Sequence, residues 1–95
     1  MTYTNRTHRC SHTGQAFLTL LRETAYTYPQ LDGVALPTVE QASRWVITTS
    51  NAENGGQWVL SSASGEGDAM TFPFGTENIP SLGDLRRIIL TTQGA

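Results

Sequence analysis

The chain has 95 residues, eight acids against six arginines, no lysine, a formal net charge of −2 and one cysteine. That length suits one domain with one modest core, burying roughly 60–65% of the unfolded surface, and excludes a dinucleotide-binding fold or a large catalytic cleft. One cysteine excludes an internal disulfide, and no run of 18 apolar residues is long enough for a membrane-spanning helix; with no apolar leader segment at the start, the expected setting is the reducing cytoplasm.

Residues 1–12, MTYTNRTHRCSH, are polar and carry no period. They read as an extended N-terminal arm or an edge strand. Residues 13–28 read as a helix: Phe17, Leu21, Thr24 and Tyr28 recur at helical spacing, and Leu18, Leu20 and Ala25 widen the stripe. Ser11 or Thr13 is the expected cap, and Pro29 stops the helix because the residue before proline avoids the helical region. Residues 29–37 form a connector with a turn at Asp32-Gly33. Thr38-Val39-Glu40-Gln41 is a capping box that starts a short helix over residues 38–44.

Residues 45–74 spell a three-stranded antiparallel meander. A turn at Asn54-Gly55 pairs Thr49 with Leu60 and Ile47 with Ser62. Trp45, Ile47, Trp58 and Leu60 then share an apolar face, and Val46, Thr48, Val59 and Ser61 share a more polar one. A Gly65-Glu66-Gly67 loop places Phe72 opposite Leu60 and Phe74 opposite Trp58, with Gly67 free to take positive φ. Pro73 cannot donate to a ladder, so the last strand is an edge. Residues 81–92 read as the final helix, capped by Ser81, with Leu82, Leu85, Ile88, Ile89 and Thr92 inward and Arg86, Arg87 and Leu90 outward. The expected fold is α+β: a two-layer sandwich with a three-stranded meander packed on helices, in the order α-α-β-β-β-α.

Few groups carry chemistry. His8, Cys10 and His12 form H-x-C-x-H, which on a strand points three metal-binding side chains one way. A fourth zinc ligand would have to be a carboxylate, water or a second protomer, so no metal is expected and these residues are the weak candidates; an arm-mediated homodimer sharing a zinc site between protomers is a further alternative. Glu66 and Asp68 are close in sequence but sit on a hairpin loop, where solvation keeps carboxylates from acting as an acid/base pair. No nucleophile motif, phosphate-cradling loop or cofactor fingerprint is present, so the chain reads as a non-enzyme with no cofactor.

Charge is unevenly spread. Residues 1–22 hold Arg6, Arg9 and Arg22 with no acid; residues 23–84 hold all eight acids against Arg44; Arg86 and Arg87 follow. Basic ends around an acidic middle can orient a charged partner. Leu36-Pro37-Thr38-Val39-Glu40-Gln41-Ala42 resembles the opening helix of excisionase-type helix-turn-helix modules. That resemblance covers under ten residues and implies a recognition helix near residues 50–57, where this chain reads SNAENGGQ, acidic and helix-breaking. A DNA-binding regulator using Arg6, Arg9, Arg86 and Arg87 is therefore the alternative reading.

By elimination the leading expectation is a small protein-binding module. Small size, acidic turns and the lack of a cofactor signature make it similar in kind to phage and mobile-element inhibitors of host defence proteins, anti-CRISPR proteins among them. Such proteins present acidic surface to a partner's nucleic-acid groove. Glu53, Glu66, Asp68 and Glu77 would present it here, with Tyr26, off the helical stripe, as an aromatic contact.

Overall fold

A computed structural model describes residues 8–52 and 55–94. The elements run β1 (His8–His12), α1 (Gln15–Ala25), α2 (Val39–Ala42), β2 (Trp45–Ala52), β3 (Gly55–Ser62), β4 (Met70–Pro73) and α3 (Leu82–Thr92), with short 3-10 turns at Pro29–Leu31 and Thr76–Asn78. The fold is α+β, with a four-stranded antiparallel sheet in the order β1-β2-β3-β4. The expected three-stranded meander gains a strand: the end of the N-terminal arm pairs along β2, from His8 opposite Asn51 to His12 opposite Ile47. Among the described residues, no helix is long and apolar enough to cross a membrane.

Both hairpins hold the expected faces but slide by two residues. Ile47 lies opposite Leu60 and Thr49 opposite Trp58; Trp58 lies opposite Phe72 and Leu60 opposite Met70. A slip of two preserves every side chain's face, whereas a slip of one would invert them all. The Asn54-Gly55 turn falls partly outside the described residues; the paired ends are Ala52 and Gly55. On the other side, the connection lengthens from three residues to the span 63–69, in which Gly65 and Gly67 take φ of +82° and +78°. The physical reason for the second shift is Gly56. Its carbonyl accepts from the Phe74 N–H at 2.9 Å, and a Cβ built on it would stand 2.5 Å from the Phe74 ring. The ring fills the space a side chain would take. In the expected register, Phe74 would instead have faced the bulk of Trp58.

Rows of directly opposed residues show which face is buried. One row is His12–Ile47–Leu60–Met70 and the next is Cys10–Thr49–Trp58–Phe72. Ile47, Trp58, Leu60 and Phe72 join Phe17, Leu18, Leu21, Leu31, Ala42, Leu85, Ile88 and Ile89 in one core cluster. The opposite face carries the row Ser11–Thr48–Val59–Thr71, and none of these four is buried.

The helices end where local chemistry dictates. Neither Ser11 nor Thr13 caps α1: Ser11 is committed to β1, and Gly14 occupies the N-cap at φ +60° without a side-chain bond. Gly14 is buried against α2. Its N–H donates to the Ala42 carbonyl at 3.4 Å, and a Cβ there would meet the Ser43 Oγ at 3.1 Å. At the far end α1 stops at Ala25, three residues short of Tyr28, whose extended backbone precedes Pro29. The Tyr28 hydroxyl donates to the Pro80 carbonyl at 2.5 Å, tying the end of α1 to the start of α3. The Thr38–Gln41 capping box forms in both directions, although α2 ends at Ala42 rather than near Arg44. Ser81 accepts from the Asp84 N–H at 3.2 Å, and Leu85, Ile88, Ile89 and Thr92 face inward.

Two substitutions test this packing in thermal denaturation. Gly56→Ala pushes a methyl into the Phe74 ring and the Ser50 carbonyl, and should cost about 2–3 kcal/mol. Thr92 is buried and its hydroxyl finds no hydrogen-bond partner among the described residues. Thr92→Val removes that unsatisfied oxygen at nearly constant shape and should add about 1 kcal/mol, raising Tm by roughly 4–8 °C in a domain of this size. A fall in Tm for Thr92→Val would mean the hydroxyl has a partner.

Candidate protein-binding groove

Among the described residues, four large apolar side chains are exposed, on the helices, at a helix end and on the connector. Tyr26 is 85% exposed, Leu90 56%, Val39 47% and Val34 45%. Three of these follow from helical spacing and turn geometry. Tyr26 sits one turn after Arg22 on the outer side of α1, and Leu90 sits one turn after Arg86 on α3. Val34 is presented by the connector. There Pro29–Leu31 forms a 3-10 turn, the Asp32 N–H donates to the Pro29 carbonyl at 3.1 Å, and the Val34 N–H donates to the Leu31 carbonyl at 3.0 Å. Gly33, at φ +85°, makes that reversal without a Cβ penalty.

Two depressions flank this connector. The larger, about 360 Å³, lies among Arg22, Tyr26, Tyr28, Asp32 and the apolar Leu31 and Val34. The smaller, about 170 Å³, lies among Leu31, Val34, Arg86, Ile89, Leu90 and Gln93. Leu31 and Val34 line both, so the two depressions lie on either side of the connector and together are called the trough, with Arg22 in the half toward α1 and Arg86 in the half toward α3.

The trough is held in shape from below. Leu31 is 5% exposed and belongs to the core cluster, so the connector cannot lift without breaking core contacts. Gln93 donates through Nε2 to the Ala35 carbonyl at 3.0 Å, and its own carbonyl accepts from Gln41 Nε2 at 3.1 Å. These bonds join the connector, α2 and the end of α3.

Ion pairing separates the arginines. Arg44 reaches Glu40 at 3.7 Å and Arg87 reaches Asp84 at 3.6 Å, each about one turn away on the helix surface. Arg87 also lies over the Phe72 ring, 5.2 Å from its centre. Among the described residues, Arg22 and Arg86 have no carboxylate within ion-pairing distance.

The residues singled out from sequence are scattered. Tyr26 lies in the trough. Glu66 and Asp68 are exposed on the 63–69 connection, beyond the end of β3. Glu77 is exposed at the opposite end of the sheet, following Phe74, in left-handed backbone at φ 61° and ψ 19°. The length of β3, eight residues, separates the two ends by roughly 25 Å at ~3.3 Å per residue. Glu53 and Arg6 lie outside the described residues. The remaining arginines of the DNA-binding alternative are not brought onto one face: Arg9 is on the edge strand β1, and Arg87 stacks over the opposite edge strand β4. Residues 50–57, where the excisionase-type resemblance implied a recognition helix, belong to β2 and β3 wherever they are described.

The H-x-C-x-H residues do alternate along β1, with Cys10 exposed and His12 opposite the buried Ile47. Among the described residues, no three His, Cys, Asp or Glu side chains lie close enough to hold a metal ion.

Tyr26 is legible in the sequence as a contact residue; that Arg22, Val34, Arg86 and Leu90 line the same trough is not. The available signal was their shared property: Arg22, Arg86 and Leu90 all fall off the apolar stripes of α1 and α3, and Val34 follows a turn. In comparison with known proteins, no family model matches the chain, and no curated protein and no solved structure matches it.

Proposed function

We propose that this chain is a small non-enzymatic protein-binding module that engages its partner through the trough between α1, the connector and α3. The observation that carries this reading is the concentration there of Tyr26, Val34 and Leu90 over a floor fixed by Leu31. Tyrosine and arginine are enriched in interface cores, and hot spots cluster in pockets from which water is excluded on binding. An exposed tyrosine here presents a large rigid surface at small entropic cost, because its backbone is already fixed at the end of α1. The free, exposed Cys10 suits a reducing compartment.

Capture from a lysate of the source organism, with and without nuclease, tests this reading. The wild-type protein should retain a protein partner after nuclease treatment. Tyr26→Ala combined with Leu90→Ala should weaken that capture by about 30-fold, the loss of one hot spot worth ~2 kcal/mol. Tm should move little, since both positions are exposed. Full retention of the partner by the double variant would rule the trough out as the contact. Recovery of nucleic acid, or of proteins lost on nuclease treatment, would move the assignment to the DNA-binding alternative.

A second contact rests on Glu66 and Asp68. Both are exposed, and neither takes part in an ion pair among the described residues. If the protein acts as an anti-CRISPR-like inhibitor of a host defence protein, this loop is its acidic element, set against a basic groove. Reversing both to lysine should then weaken capture of the same partner and leave Tm nearly unchanged. Unaltered capture would remove the loop from the interface.

A further inference from the structure

We propose that the trough takes a short segment of the partner protein in which acidic residues flank an apolar side chain. The apolar residue seats over Leu31 and Val34, and the acids meet Arg22 and Arg86. The inference rests on the protein-binding reading above and adds the chemistry of the segment that binds.

Three observations converge on it. The two depressions border the same connector residues, Leu31 and Val34, so a segment laid across the connector there reaches both. Each half contains one arginine, on α1 and on α3. Neither arginine is among the ion pairs of the described residues, whereas Arg44 and Arg87 each hold a carboxylate about one turn away. An arginine that keeps its planar fork free beside an apolar floor is arranged for bidentate capture of an incoming carboxylate.

The whole chain is acidic, with a net charge of −2. Attraction of an acidic segment must therefore be local to the trough rather than a property of the molecule. Asp32 is the one acid lining the larger half, beyond ion-pairing reach of Arg22. It is placed to accept from a ligand N–H and to disfavour a second anion at that spot. A nucleic-acid strand fits this surface less well. The floor is aliphatic, two arginines neutralise few phosphates, and binding of a polyanion draws on many cations at once.

The test is selection of peptides from a random 12-residue display library on the purified protein. The selected peptides should be enriched in Asp and Glu on either side of Leu, Ile, Phe or Trp. A synthetic peptide carrying the selected sequence should bind the wild type and lose affinity as salt rises. Binding should fall by at least about tenfold in the Arg22→Glu, Arg86→Glu variant, through lost pairing and new repulsion. The same peptide with its acids changed to lysine should bind that variant better than it binds the wild type, which shows that the variant is folded and that charge decides.

Three outcomes would overturn the proposal. Peptides without acidic enrichment, bound equally by wild type and charge-reversed protein but lost on Tyr26→Ala with Leu90→Ala, would leave a protein-binding trough that does not read charge. Peptides indifferent to both sets of substitutions would bind elsewhere, and the trough would lose both assignments. Preferential binding of single-stranded DNA over every selected peptide, abolished by Arg22→Glu with Arg86→Glu, would assign the arginines to phosphate.

Discussion

Burial of one face of the sheet is the constraint on which the rest of the molecule depends. Ile47, Trp58, Leu60 and Phe72 project from three strands to the same side, and a sheet that left them exposed to water would not persist. Two helices of 11 residues each supply the cover. Such helices are marginal on their own in water, so they form here because their apolar stripes have a sheet to meet. Sheet and helices thus stabilise each other, and neither is a finished structure alone. Phe74 completes the arrangement at one end, where its ring lies over Gly56 and the ladder offers no side chain.

Legibility in the sequence follows directly from that constraint. Features set by alternation and by local caps could be read: the apolar face of β2 and β3, the Thr38–Gln41 box, the Ser81 cap and the inward stripe of α3. Each depends on residues within a few positions of one another, or on a period that burial enforces. Registers could not be read as well, because a slip of two leaves every face unchanged and the burial pattern cannot tell the two apart. The distinction came from a glycine that must face something large. β1 was legible only as one of two options, an extended arm or an edge strand. Its residues His8–His12 have no apolar alternation, and they become a strand because β2 offers them an open edge. The expected cap of α1 failed for a related reason: Gly14 is chosen by how closely α2 approaches it, a contact with a residue 28 positions away in sequence.

The candidate site was harder still. Tyr26 announces itself as an aromatic off the stripe. Its companions Arg22, Val34, Arg86 and Leu90 come from three separate segments, and only folding places them around one floor. The charge count misleads for the same reason. Eight acids in sequence suggest an acidic block, yet the chain sets Glu66 and Asp68 at one end of the sheet and Glu77 at the other. Linear density of charge says little about surface density when neighbours in sequence fall at opposite ends of a sheet.

The two sides of α1 and α3 divide the work that the fold requires from the role proposed for the surface. Inward positions Phe17, Leu21, Leu85 and Ile88 are fully buried and tolerate little change. Outward positions Arg22, Tyr26, Arg86 and Leu90 touch the core hardly at all, so their chemistry is free to serve a partner. Leu31 is the exception, because it belongs to both sets: its side chain is part of the core cluster, and it also lines both halves of the trough. The surface proposed to meet a partner is therefore anchored in the same packing that holds the sheet. A preformed surface spares a partner the entropy of ordering a loop on arrival. That saving matters most for a small module, whose whole contact must come from a few side chains.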